Sequence, residues 1–114
     1  MQLLLIDEDK RKDTEERRKF LNAADLVFLC LPDAAAVQAV QLAEGSKVAI
    51  IDTSTAHRTN EGWAYGFPEL SKEHFEKVKN SKRIANPGCH ASGFNALIAP
   101  LTEAGIVEHD ALIT

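Results

Sequence analysis

Arg83-Ile84-Ala85-Asn86-Pro87-Gly88-Cys89 is the stretch on which the reading of this chain turns. A short apolar run, Arg83-Ile84-Ala85, stops at Asn86, and a helical pattern carried by Phe94, Leu97, Ile98 and Leu101 follows. Pro87 and Gly88 break the strand and force a tight turn between the two. Cys89 then opens a helix, where the first N–H groups have no partners within the helix and the dipole is positive. That setting favours a thiolate over a thiol and makes Cys89 a candidate nucleophile. The competing reading of the same residues is a buried, inert cysteine after an ordinary Pro-Gly turn.

The same strand–turn–helix alternation runs outward from this point. Leu3–Ile6 reads as a strand, and Thr14–Asn22 as a charged helix with Phe20 and Leu21 turned inward. Asp25–Leu31 is a continuous apolar strand stopped by Pro32. Asp33 is placed to cap a helix over Ala34–Ala43 that packs through Val37, Val40 and Leu42 and closes at Gly45. Lys47–Asp52 is a further strand. Thr53–Leu70 is a long irregular stretch containing Gly62, Gly66 and Pro68, and loops of such length are often functional. Ser71 caps a helix near Lys72–Asn80, and the helix opened by Cys89 runs to about Ala104, before Gly105. Ala111–Thr114 again has strand character. Strands alternating with helices imply βαβ units and a parallel sheet. Strands this uniformly apolar fit a sheet with helices on both faces. The fold class is therefore α/β, of Rossmann type.

Composition narrows the class of function. The 114 residues suffice for one small domain, and 45% hydrophobic residues with few aromatics are ordinary for a globular chain. Thirteen basic against seventeen acidic residues give a net charge of −4. That balance speaks against nucleic acid or an anionic membrane as the main partner. No apolar run approaches the roughly 20 residues of a membrane span, and no secretory pattern follows Met1. Two cysteines, Cys30 and Cys89, make no disulfide framework, so a reduced, cytoplasmic setting is expected.

Ligands of doubly wound sheets bind at the carboxyl ends of the strands. Polar or turn-forming groups recur at such ends here: Asp7, Pro32-Asp33, Asp52-Thr53-Ser54-Thr55 and Asn86–Cys89. Their clustering points to one shared site along one sheet edge. Each group also has a structural reading: Asp33 as a helix cap, and Thr53, Ser54 and Thr55 as partners of turn backbone. Lys10-Arg11-Lys12 follows the first strand, where a basic residue favours a ribose 2′-phosphate and an acid such as Asp7 favours a free hydroxyl. A solvated helix start explains the same residues. His90 points about 100° away from Cys89 around a helix and is a poor base for it. His57, His74 and His109 read as surface or capping residues. No His or Cys pair has metal-ligand spacing, so no metal site is expected.

Four segments together resemble one family: Ala24–Asp33, Ile51–Thr59, Trp63–Leu70 (Trp-Ala-Tyr-Gly-Phe-Pro-Glu-Leu) and Ala85–Cys89. The chain is similar throughout to N-acetyl-gamma-glutamyl-phosphate reductases of the shorter type, within the aspartate-semialdehyde dehydrogenase-like group. The resemblance implies an NADP-binding Rossmann domain joined to a second domain, and a homo-oligomer. It implies reduction of an acyl phosphate, N-acetyl-gamma-glutamyl phosphate, to a semialdehyde in arginine biosynthesis. Cys89 takes the nucleophile's place, forming a thioester that hydride from the nicotinamide reduces. Backbone N–H groups near Asn86, Gly88 and Cys89 are placed for an oxyanion or phosphate. Leu31, Pro32 and Ser54 match segments along the cofactor groove, with Lys10 and Arg11 toward the ribose. Arg58 is a candidate anion binder; a surface salt bridge is its alternative.

The chain also departs from the family. The family's first strand and Gly-rich phosphate turn are not in this sequence, its catalytic histidine falls beyond Thr114, and His90 stands where a tyrosine is frequent. Residues 1–114 are therefore read as a partial NAD(P)-binding Rossmann domain ending shortly after the cysteine helix, without the substrate domain, and inactive alone. Two other classes stand beside this one: a noncatalytic nucleotide-binding module, and another cysteine-dependent acyl-transfer enzyme or peptidase with His57 as its base.

Overall fold

The computed structural model describes residues 2–111. Asp13 accepts the Glu16 N–H at 2.8 Å and starts helix α1, Thr14–Ala23. Strand β1 is Leu26–Leu29, helix α2 is Asp33–Leu42 and strand β2 is Ala49–Asp52. Gly45, at φ 77°, turns the chain out of α2 in a conformation open to glycine. The stretch read as one long loop holds a short strand β3, Ala64–Tyr65, and a 3₁₀ turn, Pro68–Leu70. Ser71 caps helix α3, Lys72–Asn80, by accepting the His74 N–H at 3.2 Å. Strand β4, Arg83–Ala85, and helix α4, Cys89–Glu103, follow.

The four strands lie in the order β1-β2-β4-β3, and every neighbouring pair is parallel. Val27 pairs with Ile50 and Leu29 with Asp52, so these four side chains share one face of the sheet. Ala36 and Ala39 of α2, with its C-cap Ala43, present a strip of small side chains to that face. They pack with Leu29, Val48 and Ile50 into the core, flanked by Leu21, Val27, Val40 and Trp63. Small side chains let the helix approach the sheet closely enough to exclude water. No helix among the described residues is long and apolar enough to cross a membrane.

Two expectations differ in detail. Leu3–Ile6 forms no strand. An apolar run signals burial, but a strand also needs a neighbour for its N–H and C=O groups, and the one ladder of β1 among the described residues is with β2. Gln2, Leu3, Leu4 and Ile6 instead line an apolar cleft of about 770 Å³ with Phe20, Leu21 and the strand β1. Leu26 and Phe28, 45% and 62% exposed, open onto this cleft, so helical cover of the second face is incomplete at β1. The expected strand at Ala111–Thr114 has its last three residues outside those described.

Gly66 is fixed by close approach. A Cβ there would lie 3.1 Å from the Ala85 carbonyl oxygen, the Asn86 Cα and the Ile84 Cγ2. Two of these three are main-chain atoms of β4 and the turn after it, which cannot swing aside. Gly66→Ala is expected to lower stability by about 1–3 kcal/mol, read from the urea midpoint by far-UV circular dichroism.

Candidate active site

Because all four strands are parallel, their carboxyl ends open on one edge of the sheet, and the loops leaving it are tied together. The Thr53 N–H and hydroxyl both donate to the Leu29 carbonyl at 3.0 Å. The Asn86 N–H donates to the Asp52 carbonyl at 2.7 Å, and the Gly66 N–H to that of Ala85 at 2.8 Å. The sheet ladder thus continues past the strand ends and fixes the position of the Asn86–Cys89 turn.

Asp52 is the charged centre of this edge. Its side chain is fully buried, and it accepts the Ser54 N–H at 3.0 Å, the Ser54 hydroxyl at 2.7 Å and His57 Nδ1 at 2.6 Å. Burial alone pushes this carboxyl up; the hydrogen bonds from His57 and Ser54 outweigh it and hold the group below its ordinary value. An ionised carboxylate only accepts, so the His57 Nδ1 carries the proton. His57 is 4% exposed and stacks on Trp63, centroids 4.2 Å apart and planes 13° from parallel. The expectation of a surface or capping histidine at position 57 is therefore corrected, because the carboxylate at the strand end draws the ring inward. Sequence reasoning missed this pair. The available signal was an aspartate closing a strand with a histidine five residues on and a tryptophan in the same loop.

The other strand-end residues have defined uses. Asp33 is the first residue of α2, not its cap; Pro32 holds that position. The Asp33 carboxylate instead accepts the N–H and hydroxyl of Thr55, which hold it below its ordinary value. The Ser54 hydroxyl also accepts the Ala56 N–H at 3.2 Å, so it is engaged within the protein. Both bonds shape the loop. Leu31 and Pro32 are exposed at the end of β1. Lys10 ends an exposed 3₁₀ turn that Arg11 caps, ahead of α1 in the chain, and Lys10 pairs with Asp7 at 3.5 Å.

Cys89 is exposed at the first turn of the 15-residue helix α4, whose N-cap Gly88 supplies no side chain. The first N–H groups of α4 therefore have no helical or capping side-chain partner. Arg58 lies beside this turn. Its Nε donates to the Ser54 carbonyl at 3.1 Å and an Nη to the Thr53 carbonyl at 3.4 Å. A Cβ on Gly88 would sit 3.5 Å from Arg58 Nη2. Among the described residues Arg58 forms no salt bridge, and the Asp33 carboxylate feels its charge only from beyond ion-pair distance. Asn86 turns its amide onto the Pro87 carbonyl at 3.3 Å. His90 Nδ1 lies 3.9 Å from Cys89 Sγ, nearer than the helical angle suggested, because both side chains are exposed and free to lean together. His57, needed as the base of a different cysteine enzyme, is instead committed to Asp52.

These features define the class: a parallel α/β sheet with a cysteine at a helix start beside the carboxyl ends of its strands. Residues 5–78 match the model of the semialdehyde dehydrogenase, NAD binding domain, and the chain belongs to that family. It is 48% identical over all 114 residues to an N-acetyl-gamma-glutamyl-phosphate reductase of Trichormus variabilis. It is 47% identical over the same length to one from Chelativorans sp.. It spans 35% and 37% of those two proteins, about a third of the curated relatives it matches. The crystal structure of aspartate semialdehyde dehydrogenase II from Vibrio cholerae, complexed with ASA, aligns with a TM-score of 0.58 at 19% identity. That alignment covers 74% of this chain and 28% of that one and shows the shared fold.

The two carboxylates set a pH dependence. Asp52 and Asp33 both ionise more readily folded than unfolded. Their contribution to stability is complete above about pH 4 and is lost as pH falls through the lowered folded values. Asp52→Asn is expected to lower stability by about 2–4 kcal/mol at pH 7 and to flatten the acid limb. Urea melts across pH 2–7 check both.

Proposed function

We propose that this chain forms part of the cofactor-binding domain of an NADP-dependent N-acetyl-gamma-glutamyl-phosphate reductase in arginine biosynthesis, with Cys89 as its nucleophile. The observation that carries the reading is the exposed Cys89 at the uncapped start of α4 with the Arg58 guanidinium against Gly88. The curated relatives, similar over the whole chain, supply the substrate class.

The residues present fit one side of a dinucleotide groove. Leu31 and Pro32 form an exposed apolar lip where β1 meets α2, and α2 begins without a side-chain cap. Lys10 and Arg11 are assigned to the ribose phosphate, which favours NADP over NAD. The bound nicotinamide cofactor supplies the hydride.

Cys89 attacks the acyl carbon of the small acyl-phosphate substrate. A carbon–sulfur bond forms, the bond to the phosphate oxygen breaks and inorganic phosphate leaves. The N–H groups at the start of α4 face the oxygen that gains charge during the attack. Arg58 neutralises the phosphate as it leaves, its guanidinium matching the oxygens of that group. Asn86 and Gly88 fix the turn that brings these groups together. Two free, exposed cysteines support a reduced, cytoplasmic setting, and a homo-oligomer belongs to the same reading.

A chimera tests this: residues 1–114 replace the matching third of the Trichormus variabilis reductase, and NADPH oxidation by N-acetyl-gamma-glutamyl phosphate is followed. The chimera is expected to turn over, and Cys89→Ser to lower kcat by about 100-fold or more without changing NADPH affinity. Full activity of the Cys89→Ser chimera would sink the assignment.

A further inference from the structure

Buried Asp52 and His57, with half-buried Trp63 stacked on the imidazole, form a group that the proposed chemistry leaves without a role. The imidazole is held on one ring face by Trp63 and at Nδ1 by Asp52, so it has little freedom to turn. Its own carbonyl accepts the Asn60 N–H at 3.3 Å, and Asn60 in turn accepts the Trp63 N–H at 3.3 Å. The loop is thus folded around the ring. The next residue is Arg58, whose N–H reaches the Thr55 carbonyl at 3.5 Å. With the main chain of residue 57 fixed, the Arg58 side chain runs back over the carbonyls of Ser54 and Thr53 and ends beside Gly88. Asp52 also receives the Asn86 N–H on its main-chain carbonyl, at 2.7 Å. One residue therefore anchors both the loop that carries Arg58 and the turn that carries Cys89.

We propose that His57 is a positioning residue: clamped between Asp52 and Trp63, it holds the Arg58 guanidinium against the Gly88–Cys89 turn and so sets the positive charge at the cysteine. The proposal rests on the reading of Arg58 and Cys89 given above. Two features exclude His57 from direct chemistry. Its ring is buried, and its proton-bearing Nδ1 is bound to a carboxylate inside the protein.

The test reads charge at Cys89 with two alkylating agents of similar size, anionic iodoacetate and neutral iodoacetamide. The ratio of their rates at Cys89, resolved by peptide mass spectrometry, reports the local field, and the ratio at exposed Cys30 is the internal control. Arg58→Gln is expected to lower the iodoacetate preference at Cys89 by roughly fivefold. His57→Phe keeps a ring against Trp63 but cannot donate to Asp52, and is expected to fall to the level of Arg58→Gln. The double variant should fall no further. His57→Asn, whose amide can donate in place of Nδ1, should restore most of the ratio, while Cys30 stays constant throughout. A wild-type ratio in His57→Phe with a native far-UV spectrum, alongside a lowered ratio in Arg58→Gln, overturns the positioning role alone. A wild-type ratio in Arg58→Gln overturns the underlying reading of Arg58 and the proposal with it. Loss of the helical spectrum in both His57 variants assigns the residue to the fold and also overturns the proposal.

Discussion

The buried carboxylate of Asp52 is the constraint on which the carboxyl edge of the sheet depends. A fully buried charge is stable in a protein only where hydrogen bonds replace its lost water. Here Ser54 and His57 supply them, and in doing so they determine the path of the loop after β2. The same residue's main chain carries the ladder across to Asn86. The turn before Cys89 is therefore placed by a central strand rather than by the mobility of a surface loop.

The rest of the edge follows from this arrangement. Asp33 reaches across from α2 to Thr55 and closes the loop from the other side. Gly66 lets the end of β3 lie against the Asn86 main chain without a side chain between them. On the helix side, Asn95 of α4 donates to the Tyr65 hydroxyl at 3.0 Å, linking the cysteine helix to the same edge strand. Each contact is modest alone. Together they fix one geometry, because each loop is held at more than one point.

Much of the fold was legible in the sequence. Pro32, Gly45 and the Pro87-Gly88 pair punctuate the elements, and apolar runs mark β1 and β2, so the parallel α/β alternation could be read directly. The placement of Cys89 at the start of a helix followed from the same punctuation. Less legible were features that depend on tertiary partners. Leu3–Ile6 has a strand's composition but no ladder. β3 is two residues long and carries no periodicity of its own. His57 looked like a surface residue because its burial depends on Asp52 and Trp63, neither adjacent in sequence. The Ser54 hydroxyl joins the buried carboxylate to the turn backbone, a use that only distances reveal.

Arg58 is held by carbonyl oxygens rather than by a carboxylate, and this has an electrostatic consequence. The chain as a whole carries a net charge of −4. At long range an anion therefore meets a weakly repulsive surface, and it meets an attractive patch only within a few ångströms of the Gly88 turn. At physiological ionic strength the screening length is about 8 Å, which masks the distant negative charge more than the adjacent guanidinium. Under the role proposed for Arg58, moderate salt would flatten the outer barrier while leaving the inner attraction largely intact, and anion capture at the turn would be governed by contact rather than by steering.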